Sequence, residues 1–179
     1  MEPNGYCFAN HAPLWKVLNS YGVRTGVINI PGTYPPEEVD GFMVTGMMTP
    51  SKESPFSYPS KLQMDLGESG LDYEIDLPSW GYFDEGAFYK DAIKVTEKRG
   101  RAAEYLMEHI PCDFYMVVFT SPDRVHHLLW DKRETVKDYW AELDRVLGGI
   151  LEAVGEEATV FVVSDHGFGP LERTFFVNE

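Results

Sequence analysis

Two short stretches of this sequence concentrate side chains that can bind metal ions and exchange protons. The first, residues 119–131, is FTSPDRVHHLLWD, and the second, residues 160–170, is VFVVSDHGFGP. Each stretch includes or follows the end of an apolar run, and carboxylate and imidazole groups are ligands that zinc accepts in proteins. If the two stretches meet in the folded chain, they predict a metal centre.

In the first stretch, Asp123 and His127 are four residues apart. A helix that begins near Pro122 would place both side chains on one face, where they could bind one cation at about 2.0–2.2 Å. His126 is one position off that face and should point elsewhere. Arg124 is a candidate substrate-binding residue that could hold a phosphate, or it could simply pair with an acid. The same spacing is also typical of a capping aspartate followed by a surface histidine.

In the second stretch, Asp165 and His166 are adjacent, so in a regular strand they would point to opposite faces. Gly167 and Gly169 give the backbone the freedom to turn both side chains toward one ion. An Asx turn is the alternative interpretation. Taken together, the two stretches favour a shared metal site, because carboxylates and imidazoles that converge at one sheet edge are costly without a cation.

The surrounding sequence alternates helix and strand patterns. Apolar residues at helical spacing predict helices over 11–21 and 134–154 and one or two helices over 84–110, with Gly100 as a candidate break. Apolar runs rich in strand-forming residues predict strands over 24–32, 41–45, 113–120, 158–164 and 173–178. The runs 113–120 and 158–164 are typical of buried parallel strands, the first of them central in its sheet. The predicted fold class is α/β, an open and mostly parallel sheet with helices on both faces, in which ligands bind beyond the carboxyl ends of the strands.

Residues 31–83 interrupt this alternation with a segment rich in proline and glycine. We predict a single domain over residues 1–179, because this length suffices for one sizeable core and not comfortably for two. The segment at about 31–83 is a loop insertion, and loops of such length inside compact domains are usually functional or mobile. Tyr34 in this segment is a candidate substrate-binding residue. Thr33 and Thr45 carry hydroxyl groups, but structural roles in turns or strands explain them better than catalysis.

The composition narrows the classes of function. The chain has 29 acidic and 15 basic residues and a net charge of −14, which disfavours a nucleic-acid-binding patch. Only two cysteines occur, so a disulfide framework is not expected and a reducing cytoplasm is the default location. No apolar run approaches the roughly 20 residues that a membrane-spanning helix needs.

The two stretches also resemble a known family. FTSPDRVHHLLWD followed by VVSDHGFGP resembles the alkaline phosphatase superfamily, and most of all its type I phosphodiesterase and nucleotide pyrophosphatase branch. The resemblance implies an alkaline-phosphatase-like core and two divalent metal ions, zinc first and manganese as the alternative. It implies that Asp123 and His127 bind one metal, that Asp165 and His166 bind the other, and that the substrate is a small phosphate ester.

The same resemblance implies groups that we do not identify in this chain. They are an aspartate after the first strand, a Thr or Ser nucleophile at a helix start and a late third histidine. No catalytic residue is therefore assigned, and we expect a partial core, a fragment of a phosphoesterase with weak or no turnover. Whether the chain is an enzyme stays open: a phosphomutase of the phosphoglycerate mutase type and a degenerate, non-catalytic binding domain are the alternatives to a metal-dependent phosphodiesterase. Sheet edges exposed in a partial core would allow self-association.

Overall fold

The structure, a computed structural model, describes residues 11–77 and 84–170 of the 179-residue chain. Its elements in those residues are, in chain order, α1 (Leu14–Ser20), β1 (Thr25–Ile30), β2 (Gly41–Thr45), β3 (Ser57–Tyr58), α2 (Lys61–Glu68), α3 (Glu85–His109), β4 (Phe114–Val117), α4 (Ser121–Leu129) and α5 (Arg133–Val154). The strands form one sheet in the order β3-β2-β1-β4. Strand β1 is parallel to both β2 and β4, and β3 is antiparallel to β2. The predicted α/β class with an open, mostly parallel sheet is confirmed.

The apolar side chains of β1 and β2 divide between the two faces of the sheet, because successive residues of a strand point in opposite directions. On one face, Val27 and Met43 pack with Trp15 of α1. On the other face, Ile28 and Val44 join a larger cluster with residues of α2, α3 and α5. Helices therefore cover both faces, as the apolar runs predicted.

Helix α3 is one continuous helix of 25 residues, and Gly100 does not interrupt it. A Cβ atom added at Gly100 would lie 2.3 Å from Cγ1 of Val146 on α5. The glycine therefore lets α3 and α5 approach closely. A second apolar cluster joins these helices to α4 through residues that include Phe88, Val125 and Tyr139.

Strand β4 differs from its prediction. Residues 113–120 were expected to form a central strand covered on both faces, but β4 has four partly buried residues and pairs only with β1 within the described sheet. The interior positions of the sheet belong to β1 and β2, where Val27, Ile28 and Met43 are fully buried. An apolar run shows that a strand can be covered, but the order of strands in a sheet depends on pairings between distant segments.

The predicted buried strand at residues 158–164 is wrong for this structure. The segment forms no strand, and Phe161, Val162 and Val163 are 82%, 81% and 85% exposed. Its composition suits a strand, but a strand is stable only when its backbone groups pair with a neighbour, and none of the four strands in the described sheet pairs with it. The further strand predicted over 173–178 lies outside the described residues.

The proline-rich segment is more ordered than expected. Besides β2, which was predicted, the short strand β3 and the two-turn helix α2 lie between residues 31 and 77. Leu62 and Leu66 of α2 are almost fully buried. Within the ranges that the structure describes, no helix has the length and apolar character that crossing a bilayer requires.

Candidate metal centre

Helix α4 positions the first two candidate ligands. Pro122 lies in its first turn, where the missing proline N–H leaves no hydrogen bond unmade. Asp123 follows in the same turn, where the positive end of the helix dipole favours a carboxylate. One turn later, Nε2 of His127 lies 3.5 Å from Oδ1 of Asp123. Both side chains are partly exposed, so they remain accessible to an ion.

The second candidate pair lies against the first. Nε2 of His166 is 3.8 Å from Oδ1 of Asp123 and 3.8 Å from Oδ1 of Asp165. Nδ1 of His166 lies 2.9 Å from the carbonyl oxygen of Gly167. A proton on Nδ1 can be donated to that carbonyl, which leaves Nε2 of a neutral His166 with a free lone pair facing the carboxylates. The two polar stretches of the sequence therefore meet in the folded chain.

The spacing of the Asp123 and His127 atoms suits a shared cation. Two ligands of one tetrahedral zinc ion, each about 2.0–2.1 Å from the metal, lie about 3.4 Å apart. The Asp123–His127 distance of 3.5 Å is close to this value, and the oxygen and nitrogen donors are of the kind that zinc accepts. Within 11–77 and 84–170, however, no group of three or more His, Cys, Asp or Glu side chains is arranged to hold a metal ion. The assignment of the four residues as metal ligands therefore stays a prediction.

Two histidines at this cluster, His166 and His126, have opposite electrostatic environments. The hydrogen bond to the Gly167 carbonyl, followed by the charges of Asp165 and Asp123, raises the pKa of His166 above its usual value. Burial lowers the pKa of His126. Its Nε2 accepts a hydrogen bond of 3.1 Å from the indole N–H of Trp140, an arrangement that requires the neutral ring. His126 thus serves packing, while His166 faces the acidic cluster.

Arg124 is paired with an acid, one of the two roles left open by the sequence. Its Nη2 lies 3.1 Å from Oδ2 of Asp76 and 3.1 Å from Sδ of Met47. Asp76 also accepts a hydrogen bond of 2.8 Å from the hydroxyl of Thr120. The carboxylate of Asp76 therefore fixes both the residue before α4 and the arginine in its first turn.

A buried arginine supports the same helix end. Arg99 on α3 is fully buried, and its Nη2 donates to the carbonyl oxygen of Ile75 at 2.7 Å. Its Nη1 donates to Oγ1 of Thr120 at 3.3 Å, and its guanidinium lies 6.0 Å from the ring centre of Phe119. Within the described residues, Nε of Arg99 has no hydrogen-bond partner. The chain of contacts from Arg99 through Thr120 to Asp76 joins three segments at the base of the candidate site.

The sequence pattern did not single out Arg99, Thr120 or Asp76. Arg99 is one basic residue among several on an amphipathic helix, and Asp76 lies in an irregular segment. Thr120 directly precedes the Ser-Pro-Asp start of α4, which was the one signal that could have drawn attention to it.

The remaining candidates lie in the loop after β1 and at the end of β2. Tyr34 is half-buried and precedes a cis peptide bond to Pro35. In the part of the chain that the structure describes, no hydrogen bond or ring contact joins Tyr34 to the metal candidates. The hydroxyl of Thr33 donates to the Ile30 carbonyl at 2.7 Å, and that of Thr45 lies 2.8 Å from Oγ1 of Thr49. Both hydroxyls therefore take part in local structure, that of Thr33 within its loop and that of Thr45 between the end of β2 and the loop that follows it.

Comparisons with known proteins identify the family. The family model for type I phosphodiesterase / nucleotide pyrophosphatase matches residues 4–179, a range that includes both polar stretches. No curated protein and no solved structure matches the chain significantly. Because the match covers nearly the whole sequence, this chain belongs to the type I phosphodiesterase / nucleotide pyrophosphatase family.

Proposed function

We propose that this chain is a metal-dependent phosphoric ester hydrolase of the phosphodiesterase or nucleotide pyrophosphatase type. The family indicates phosphodiesterase or nucleotide pyrophosphatase activity in general, and members of the family generally depend on divalent metals. The observation that supports the proposal for this chain is the position of Asp123, whose Oδ1 lies 3.5 Å from Nε2 of His127 and 3.8 Å from Nε2 of His166.

In this proposal, Asp123 and His127 hold one cation and Asp165 and His166 hold the second. Zinc is the expected metal because both pairs combine a carboxylate with an imidazole, and manganese is the alternative. When bound, such cations stabilise negative charge on phosphoryl oxygens and activate the attacking oxygen.

The side chains around the two proposed cation positions suit an anionic substrate. The guanidinium of Arg124 has further N–H groups besides the one bound to Asp76, and its planar shape matches phosphate oxygens. Asp76 orients that guanidinium. Tyr34 remains a proposed substrate contact, which requires that the substrate reach the loop after β1. The substrate we propose is a small phosphate ester.

No nucleophile is assigned among the Thr and Ser residues, so we propose that the 179-residue chain binds metal and turns over substrate weakly or not at all. We also propose one domain over 1–179 with an insertion at about 31–83. A cytoplasmic location is proposed from the low cysteine content, and Cys112 is a free thiol in the structure.

Metal stoichiometry tests this proposal most directly. Calorimetric titration of the metal-free chain with Zn²⁺ or Mn²⁺ should give up to two equivalents. Asp123→Asn should weaken binding at least about 100-fold, since even residues that only support metal ligands typically contribute 10–100-fold. His109→Ala is the matched control, because His109 stacks on Tyr105 in the last turn of α3.

Three outcomes separate the alternatives. A folded chain that binds neither metal would contradict the proposal and favour a non-catalytic binding domain. Rapid hydrolysis of a chromogenic phosphodiester would contradict weak turnover and require a nucleophile within these 179 residues. Transfer of a phosphoryl group within a phosphoglycerate, without release of free phosphate, would favour a phosphomutase.

A further inference from the structure

The second polar stretch contacts the rest of the protein mainly through one apolar side chain. Residues 155–170 are exposed except for Phe168, which is partly buried. The Phe168 ring lies 5.0 Å from the ring of His126, 4.9 Å from that of His127 and 5.4 Å from that of Trp130, measured between ring centres. These distances are typical of packed aromatic pairs.

The surface on which Phe168 packs is held in place by its own ring contacts and a hydrogen bond. We call it the aromatic platform, and it consists of His126, Trp130 and Trp140. The His126 ring lies 5.6 Å from the ring of Trp130 and 5.8 Å from that of Trp140. The hydrogen bond of 3.1 Å from Trp140 to His126 joins the platform across α4 and α5. The platform therefore presents a fixed apolar surface beside the candidate ligand His127.

The polar contacts of the same segment are too weak to hold it in place. His166 faces Asp123 at 3.8 Å, but both side chains are more than one-third exposed, and exposed ion pairs are screened by water and salt. The hydrogen bond from Ser164 to the His166 carbonyl is local to the segment. Removal of the Phe168 ring from water is thus the main attraction between this segment and α4.

The position of Phe168 connects this packing to the metal candidates. Phe168 is two residues beyond His166, and its ring contacts His127 edge to face. We infer that Phe168 is a positioning residue, which docks the Asp165–Gly167 turn onto α4 so that both ligand pairs reach one site. The part of this inference that concerns metal binding rests on the proposed function, while the docking of the turn does not.

Three variants of the full chain test this inference. Phe168→Ala removes the ring, and Phe168→Tyr keeps it. Phe161→Ala is the control, because Phe161 is in the same segment and is 82% exposed. Two measurements are needed: ring-to-ring NMR contacts of Phe168 with Trp130 and His127 in the metal-free wild-type chain, and Zn²⁺ affinity by competition with a chromogenic chelator.

We expect the ring contacts to be present without metal. Phe168→Ala should bind Zn²⁺ about 10–100-fold more weakly, in the range found for residues that orient metal ligands. Phe168→Tyr and Phe161→Ala should bind Zn²⁺ as the wild type does. Circular dichroism of each variant should confirm that the helices remain folded.

Other results would overturn the inference in distinguishable ways. Wild-type Zn²⁺ affinity in Phe168→Ala, or an equal loss in Phe161→Ala, would show that Phe168 does not position the ligands. If the wild-type chain itself binds no Zn²⁺, the proposed function fails, and the ring contacts alone decide the docking: their presence supports it and their absence refutes it.

Discussion

At the scale of single residues, the candidate site depends on charged side chains. The apolar periodicity of the helices does not distinguish them from the other charged residues of the chain. Asp76 is only 13% exposed in its side chain and bonds both Thr120 and Arg124. Lys98 is 9% exposed and bonds Asp72 and Glu74. All three acidic residues come from the segment 71–77, so these side chains attach that segment to α3 and α4.

Removal of the Asp76 carboxylate should destabilise the fold. Asp76→Ala leaves the Thr120 hydroxyl and the partly buried Arg124 without their acceptor, which should lower the free energy of unfolding by about 1–3 kcal/mol. Urea denaturation measures this loss. Asp65→Ala is the control, because Asp65 forms an exposed pair with Lys61 on α2, and its loss should change stability by less than about 0.5 kcal/mol. Equal effects of the two substitutions would contradict a structural role for Asp76.

The Asp72–Lys98 pair should give stability a pH dependence. The hydrogen bond from Lys98 lowers the pKa of Asp72. Burial lowers the pKa of Lys98, but the hydrogen bonds to Asp72 and Glu74 outweigh it, and the net pKa is raised. An acid with a depressed pKa stabilises the fold above its unfolded pKa of about 3.9, and this contribution disappears as the pH falls through the folded pKa.

We therefore expect Asp72→Asn to be less stable than the wild type at about pH 7, with a difference that shrinks toward about pH 3. Urea denaturation of both chains at the two pH values measures this difference. A gap of constant size at both pH values would show that the ionisation of Asp72 does not contribute.

At the scale of elements, the contact between α3 and α5 determines how the helical layer packs. Gly100 lies opposite Val146, at a close contact between the two helices. Gly148 lies on α5 with no atom within 4 Å of the Cβ it would acquire. The two positions therefore provide a matched pair of helical glycines that differ in the space around them.

Alanine should have opposite effects at the two glycines. Gly148→Ala should raise the free energy of unfolding by about 0.5–1 kcal/mol, because alanine favours the helix and restricts the unfolded chain. Gly100→Ala should lower it by about 1–3 kcal/mol, because the new Cβ would lie 2.3 Å from Val146. Thermal or urea denaturation measures both values. A second substitution, Val146→Ala, should recover part of the stability that Gly100→Ala loses. Stabilisation by Gly100→Ala alone would contradict the prediction, because it would show that the helices separate without cost.

At the scale of the whole molecule, the described sheet has an unpaired strand edge, and the chain also carries an exposed apolar segment. Strand β4 pairs on one side with β1, and the strand-like run Val160–Val163 is exposed. Unpaired strand edges can pair with other chains. The net charge of −14 opposes close approach of two copies, and salt screens that repulsion.

We therefore propose that the chain self-associates and that the association strengthens with salt. Sedimentation velocity at low and high ionic strength should show a larger average mass at high salt. Val162→Lys places a charge in the exposed run and should shift the distribution toward monomer. A chain that remains monomeric at all salt and protein concentrations would refute the proposal.

The elements that the sequence predicted well are those whose signals are local. Helix α5 was predicted because its apolar residues repeat with the period of a helix. Strand β1 was predicted because a short run of strand-forming residues ends at Pro31 and Gly32. Helix α2 was not predicted, because it is short and lies in a segment dominated by proline and glycine. Its two leucines are buried against residues far away in the chain, including Phe42 and Leu106.

By itself, the sequence determined the fold class, the family and the four residues proposed to bind metal, because these follow from local periodicity and from motifs with particular residue types. Only the tertiary structure decided that β4 lies at an edge of the described sheet, that 158–164 is exposed, and that Arg99 and Asp76 meet at Thr120. These features depend on which backbone and side-chain groups from distant parts of the chain form hydrogen bonds with one another. The energy of such a hydrogen bond depends on both partners, so the residue type at one position does not predict it.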